Sequence, residues 1–323
     1  MHLFLDTNIY LAFYKLSGDD LEELRKLAVT VRSGRTVLYL TDQVQDEFRR
    51  NRAGTISESL KVVEAGHLPT SYPRLFANLE GYTGLRATLD LFERQRHDLL
   101  EAAREAALGQ TLHADGLIQE LFETARRLAL SDEVWSAAQS RYQRGNPPGK
   151  KDSIGDAINW ESLLAEVPDD EGLVLVTADK DYASKLDESV LDEYLSAEWS
   201  ERKHSTVSVQ TSLTALFREH YPDIRLAADL EKEVAIDALL TSSNFRSTHR
   251  AIQTLGTYVD FTPEQAVTML EATSTNSQVR QILQDDDVRA FFTDLAERFG
   301  DNIPPAELAT LRGRMEEQGA EAE

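Results

Sequence analysis

Short apolar runs that stop at a polar step and then give way to helical spacing recur along this chain. His2 to Leu5 is such a run, ending at Asp6, and is followed by Thr7-Asn8 and the helically spaced Ile9, Tyr10, Leu11, Phe13 and Tyr14. Thr36 to Leu40 repeats the pattern and ends at Thr41-Asp42, an N-cap signal for a helix through Val44, Glu47 and Phe48. Leu173 to Val176 closes at Thr177-Ala178-Asp179, and a weaker copy, Thr206 to Val209, leads into Leu213 to Phe217. Buried strands that alternate with helices predict an α/β chain, with a central parallel sheet between helical layers.

Two long stretches break the alternation. From about residue 55 to 146 no convincing strand occurs, and Leu85, Leu89, Phe92, Leu99 and Leu100 keep a helical period, which predicts a helical insertion. From about residue 225 to 323 strand signals stop, while Leu226, Leu230, Val234, Leu239, Val267, Leu270, Val288, Phe291, Phe292 and Leu295 are helically spaced. The reading is a domain over 1–224 and an α-helical module over 225–323. The closing residues Glu316 to Glu323 are small and acidic, as frayed ends are.

Charge and residue usage narrow the function. With 56 acidic against 34 Lys and Arg residues the formal net charge is -22, which excludes a generic basic coat for nucleic acid. No cysteine is present, so disulfide scaffolds, thiolate zinc sites, iron-sulfur clusters and cysteine nucleophiles are excluded. No apolar stretch approaches the ~20 residues of a membrane span, and the N-terminus lacks the pattern of a secretion signal. The expectation is a cytoplasmic protein. The seven histidines lack metal-type spacing such as HxxxH, and neither GxSxG nor GxGxxG occurs.

What remains is a set of acids at the strand ends. In open parallel sheets the ligand site lies beyond the C-terminal ends of the strands. Asp6 follows the first strand, and Asp179 and Asp181 follow the third. Glu47 lies within about two turns of the start of its helix and can lean back over the same edge. Asp152 and Asp156 flank the start of the helix with Ile158, Trp160, Leu163 and Leu164 and share a face. Two unit charges ~5 Å apart repel by roughly 3 kcal/mol at an effective dielectric of 20. A cluster of such acids therefore needs protons or a hard cation such as Mg²⁺, and that chemistry suits water-activated attack on a phosphodiester.

Basic residues flank these segments. Arg49, Arg50 and Arg52 follow Glu47, and Arg141, Arg144, Lys150 and Lys151 precede Asp152, where they are the natural phosphate contacts. Gly145 to Lys151 is no Walker loop, because the spacing is wrong and two prolines remove donors; it reads as a rigid lead-in that presents Lys150 and Lys151. Tyr10, Phe13 and Tyr14 read as core, and Asp285 to Asp287 as a cap on the helix that follows.

The residues are also familiar as text. FLDTN at Phe4 to Asn8, VQDEF around Glu47, KDSIGDAINWESLL from Lys151 and VTADKDYAS from Val176 resemble the PIN-domain nucleases. The likeness is greatest to the larger bacterial PIN-like proteins with a GxPPGKKDxxGDxxxWE segment, and it covers roughly Met1 to Phe217. The resemblance implies a three-layer α/β/α fold and cleavage of phosphodiesters, usually in single-stranded RNA, with Mg²⁺ or Mn²⁺. It maps the acidic quartet onto Asp6, Glu47, Asp156 and Asp179, with Asp152 and Asp181 as accessory ligands. Thr7, Asn8 and Thr177 match the polar residues that orient water, metal or phosphate. The insertion and the C-terminal module depart from the small PIN toxins, so a catalytically idle scaffold and a DNA-directed nuclease stay open as alternatives. A protein partner or self-association is expected of the helical module.

Overall fold

Leu3, Phe4 and Leu5, Leu38 to Leu40 and Leu173 to Val176 are all buried, without the alternation of a half-exposed sheet, so both faces of these strands are covered. A computed structural model of the chain describes residues 1–15, 21–66, 72–149, 153–222, 224, 226–299 and 313. Among the described residues the chain divides into two compact units, Met1–Asp223 and Ile224–Glu323.

The first unit runs β1 (His2–Leu5), α1 (Thr7–Ala12), α2 (Leu21–Arg32), β2 (Val37–Thr41), α3 (Asp42–Ala65) and α4 (Tyr82–Leu108). It continues with α5 (His113–Thr124), β3 (Arg126–Leu128), α6 (Asp132–Arg144), α7 (Gly155–Glu166), β4 (Leu173–Val176), α8 (Glu193–Lys203), β5 (Val207–Gln210) and α9 (Leu213–His220). Among the described residues the sheet has five strands in the order β3-β2-β1-β4-β5, and every pairing is parallel. Strands 1, 2 and 3 step one way from β1 and strands 4 and 5 the other. The order therefore reverses between β1 and β4, where His2 to Leu5 pair with Leu173 to Val176. A crevice at the C-terminal ends of these two strands is where such a sheet takes its ligand.

The stretch that reads as strand-free contains one strand after all. Arg126–Leu128 pairs with Tyr39 to Thr41 at the sheet edge. Two of its three residues are arginines, exposed as charged edge residues usually are, with Arg127 reaching Asp42 and Gln45 and Arg126 lying over the Tyr39 ring. Helix α5 belongs to the same core, through Ala114, Ile118, Leu121 and Phe122. Helix α4 is different: only Leu89 and Leu100 are buried along it, while Leu85, Leu91, Phe92 and Leu99 are exposed. As expected of core residues, Tyr10 and Tyr14 are buried and Phe13 packs on the same cluster.

The second unit is helical: α10 (Ala227–Leu240), α11 (Phe245–Leu255), α12 (Pro263–Thr275), α13 (Ser277–Gln281) and α14 (Asp286–Phe299). Its own core includes Ile236, Leu239, Leu255, Met269, Leu283, Val288, Phe292 and Leu295. Asp286 and Asp287 occupy the first turn of α14, and His249 pairs with both Asp285 and Asp287, at 3.1 and 2.8 Å. No helix among the described residues is long and apolar enough to cross a membrane.

Candidate active site

Asp6 occupies the position where β1 ends and α1 begins. Its carboxylate caps α1, accepting the Thr7 N–H at 2.7 Å on Oδ1. The other oxygen, Oδ2, accepts from Asn8 Nδ2 at 2.6 Å and from the Thr177 hydroxyl at 2.7 Å. Thr177 lies just beyond β4, so these contacts stitch the two strand ends together across the reversal point. Asn8 Oδ1 takes the Ala178 N–H at 3.1 Å, Thr177 Oγ1 takes the Asp179 N–H at 2.9 Å, and Asp179 Oδ1 takes the Asp181 N–H at 3.1 Å. Thr7, Asn8 and Thr177, named from the sequence as orienting residues, are thus the web that holds Asp6 and Asp179.

Capping alone does not account for Asp6. The residue is only 5 % exposed, and loss of solvation pushes its carboxyl up to about 6. The Thr177 hydroxyl and the Thr7 N–H pull the other way, while the charges of Glu47 and Asp179 push further upward. Glu47 is half-buried on α3, and Gln43 one turn earlier offers its amide at 3.5 Å. Asp156 is half-buried in the first turn of α7. It is tied to the others through Tyr182, a fully buried phenol whose pKa is raised well above normal by burial first, then by Asp156, Asp6 and Asp179. Asp6 therefore feels the charges of Glu47 and Asp179, and Asp156, Asp6 and Asp179 share Tyr182 as a neighbour.

Helices α3 and α7 come close at Gly155. A Cβ on Gly155 would lie 2.6 Å from Gln43 Nε2, so any larger residue there would displace the Gln43 side chain beside Glu47. Thr41, the N-cap of α3, donates to Asn159 on α7 at 2.6 Å. Of these, only Thr41 stands out in the sequence, as a cap. Gln43, Gly155, Asn159 and Tyr182 carry no chemical signature of their own, although Asn159 lies three residues beyond Asp156 and Tyr182 three beyond Asp179.

Among the described residues no three carboxylates or imidazoles form a ready cage for a metal ion. Mg²⁺ does not require one, since it takes one or two carboxylates and keeps waters. The donor set fits a hard cation: it is all oxygen, Asp6 is buried beside like charges, and Thr7 Oγ1 is buried next to it without a hydrogen-bond partner.

Other predicted contacts divide sharply. Arg49 is exposed, 3.7 Å from Asp46, and Arg50 and Arg144 are exposed as well. Arg52 and Arg141 are not phosphate contacts. Arg52 forks onto Asp115 at 2.7 and 2.6 Å, reaches the Ala107 carbonyl and lies over the Tyr14 ring. Arg141 is buried between Glu161 and Glu198 and donates to the Pro147 carbonyl at 2.5 Å. Both are committed because each carries a charge that burial would otherwise leave uncompensated. Asp152, Lys150 and Lys151 lie outside the described residues. Asp181 is half-buried, one residue before Tyr182.

Comparison with known proteins names a family. A search of curated proteins finds no match, and neither does a search of solved structures. A family model described as the PIN domain matches residues 3–182, more than half of the chain, from β1 through the turn that holds Asp179 and Tyr182. PIN domains are typically metal-dependent nucleases. With an all-parallel sheet flanked by helices and a family model that matches more than half of its residues, this chain belongs to the PIN-domain family.

Proposed function

We propose that the chain is a metal-dependent endonuclease that hydrolyses phosphodiester bonds of single-stranded RNA, with Mg²⁺ or Mn²⁺ held by Asp6, Glu47, Asp156 and Asp179. The observation that carries this reading is Asp6 itself, a buried carboxyl at the strand-order reversal, pushed up to about 6 and repelled by Glu47 and Asp179. Burying unpaired charge is costly, and a sheet edge that needed only a cap would be served by an exposed Asp or a Ser.

A bound ion of this kind supplies Lewis-acid polarisation of the scissile phosphate and of an attacking water. The chain's own groups do the rest. The Asp6 oxygens are held by the Thr7 N–H, the Asn8 amide and the Thr177 hydroxyl, and Asp179 Oδ1 by the Asp181 N–H, so these oxygens need little rearrangement on loading. Glu47 and Asp156 close the region from the helical side, with Asp152 and Asp181 as accessory acids. Above about pH 6 Asp6 is ionised and able to serve as a ligand. Arg49, Lys150 and Lys151 are assigned to the phosphate backbone, where they offset the repulsion between the polyanion and a chain of net charge -22.

The test is digestion of single-stranded RNA beside single-stranded and duplex DNA, with Mg²⁺, with Mn²⁺ and in excess chelator. Cleavage of the RNA only when metal is present, absent in Asp6→Asn and in Asp179→Asn, is the expected result. Full cleavage in chelator or in either variant contradicts the mechanism, and cleavage of DNA in place of RNA transfers the same chemistry to the other substrate.

A further inference from the structure

Beneath the acids lies a second set of polar groups, none of them a carboxylate, with one member from each of three acid-bearing segments. Thr41 ends β2 and caps α3, the helix of Glu47. Asn159 lies on α7, three residues beyond Asp156, and Tyr182 follows Asp179 and Asp181 in the turn after β4. They are 1 %, 1 % and 0 % exposed. The Thr41 hydroxyl donates to Asn159 Oδ1 at 2.6 Å while accepting the Val44 N–H at 3.1 Å. Asn159 Nδ2 makes no hydrogen bond as short as 3.5 Å to any described group. The Tyr182 hydroxyl points to the Asp156 carbonyl at 3.5 Å, and its ring packs 6.5 Å from that of Trp160.

Core positions between a sheet and a helix are normally apolar, and a buried amide with an unmade hydrogen bond weakens packing unless something else requires it. What these three side chains share is location: each joins a segment that bears one acid to a segment that bears another. Glu47 and Asp179 repel Asp6, so without a tie the segments that carry them would relax outward. Groups that orient ligands from behind are usual in metal sites.

We propose that Thr41, Asn159 and Tyr182 are positioning residues, a buried polar cross-tie that fixes the spacing of Glu47, Asp156 and Asp179 for a divalent cation. This rests on the nuclease reading of the acids. The cross-tie touches neither substrate nor ion; it acts through the segments it joins.

The experiment uses the full chain and three readouts: Mn²⁺ affinity by titration calorimetry, melting temperature in chelator, and kcat and KM for single-stranded RNA. Tyr182→Phe removes the hydroxyl and keeps the ring, Asn159→Leu removes the amide and keeps the α3 cap, and Thr41→Ser keeps the hydroxyl. Tyr182→Phe and Asn159→Leu should each weaken Mn²⁺ binding by about tenfold or more. Turnover should fall in step, with KM little changed and, for Tyr182→Phe, a wild-type melting temperature in chelator. Thr41→Ser should behave as wild type. Wild-type Mn²⁺ affinity and kcat in Tyr182→Phe, where Asp6→Asn has lost both, overturn the cross-tie and leave the nuclease reading standing. Absence of Mn²⁺ binding in the wild-type chain brings down both together.

Discussion

At the scale of single residues, Asp6 ties stability to function. Its carboxyl titrates near 6 in the folded chain against an ordinary value of 3.8, so the folded state holds the proton more tightly than the unfolded one. The consequence for stability has a definite sign. As pH rises from about 4 through 6 the folded state loses ground, and above that the deficit is constant, at about 3 kcal/mol for a shift of about two pH units. In chelator, the unfolding free energy of the wild type minus that of Asp6→Asn should therefore fall by about 2.5 kcal/mol between pH 4 and pH 7.5. Urea titrations at the two pH values measure it, and a pH-independent difference would refute the assignment. The absolute gain from Asp6→Asn is smaller than this, because the Asn8 amide and Thr177 hydroxyl that donate to Oδ2 would then face an N–H group. Metal acts on the same residue: at about 100 times the dissociation constant, binding to the folded state alone adds about 2.7 kcal/mol. Mg²⁺ or Mn²⁺ should raise the melting temperature of the wild type and leave that of Asp6→Asn in place.

Among elements, helices α6, α7 and α8 meet on Arg141, whose guanidinium lies between Glu161 and Glu198 with the Pro147 carbonyl completing its partners. Removing one member of a buried ionic set strands the others, so Arg141→Ala should lose about 3–5 kcal/mol by chemical denaturation. Arg49→Ala, at an exposed position, should change stability by no more than about 0.5 kcal/mol and weaken RNA binding instead. A stable Arg141→Ala with impaired RNA binding would restore the phosphate role that Arg141's sequence neighbourhood implies. The two arginines look alike as text because a side chain's charge does not reveal its partner: Glu198 is 57 residues from Arg141, and Asp115 is 63 from Arg52. The same distinction separates what the sequence shows from what it hides. Strands β1, β2 and β4 are legible because a strand covered on both faces must be a short apolar run, and because its polar stop is the chemistry of the site; β5, half-buried at the sheet edge, gives a weaker signal. Strand β3 is hidden: Arg126-Arg127-Leu128 is a strand only because β2 offers a free edge. Asp6, Glu47, Asp156 and Asp179 are legible as acids that simple packing does not require. Asn159 is not, because its partner Thr41 lies 118 residues away and only folding brings the two together.

For the molecule as a whole, each of the two units has a large hydrophobic core of its own buried residues. Every acid assigned to the metal belongs to the first unit. A chain ending at residue 224 should fold with a cooperative thermal transition and retain metal-dependent cleavage, while 225–323 alone should be helical by circular dichroism and inert toward RNA. Loss of cleavage by a folded 1–224 fragment would show that the helical module completes the site. The most direct measurement is a crystal structure of the full chain grown with Mn²⁺, with the ion located by its anomalous scattering. The expected density lies among Asp6, Glu47, Asp156 and Asp179, within bonding distance of at least one of their carboxylates. Saturating Mn²⁺ that leaves this cluster empty, or that binds only elsewhere, would contradict the assignment of a metal-dependent nuclease to these residues.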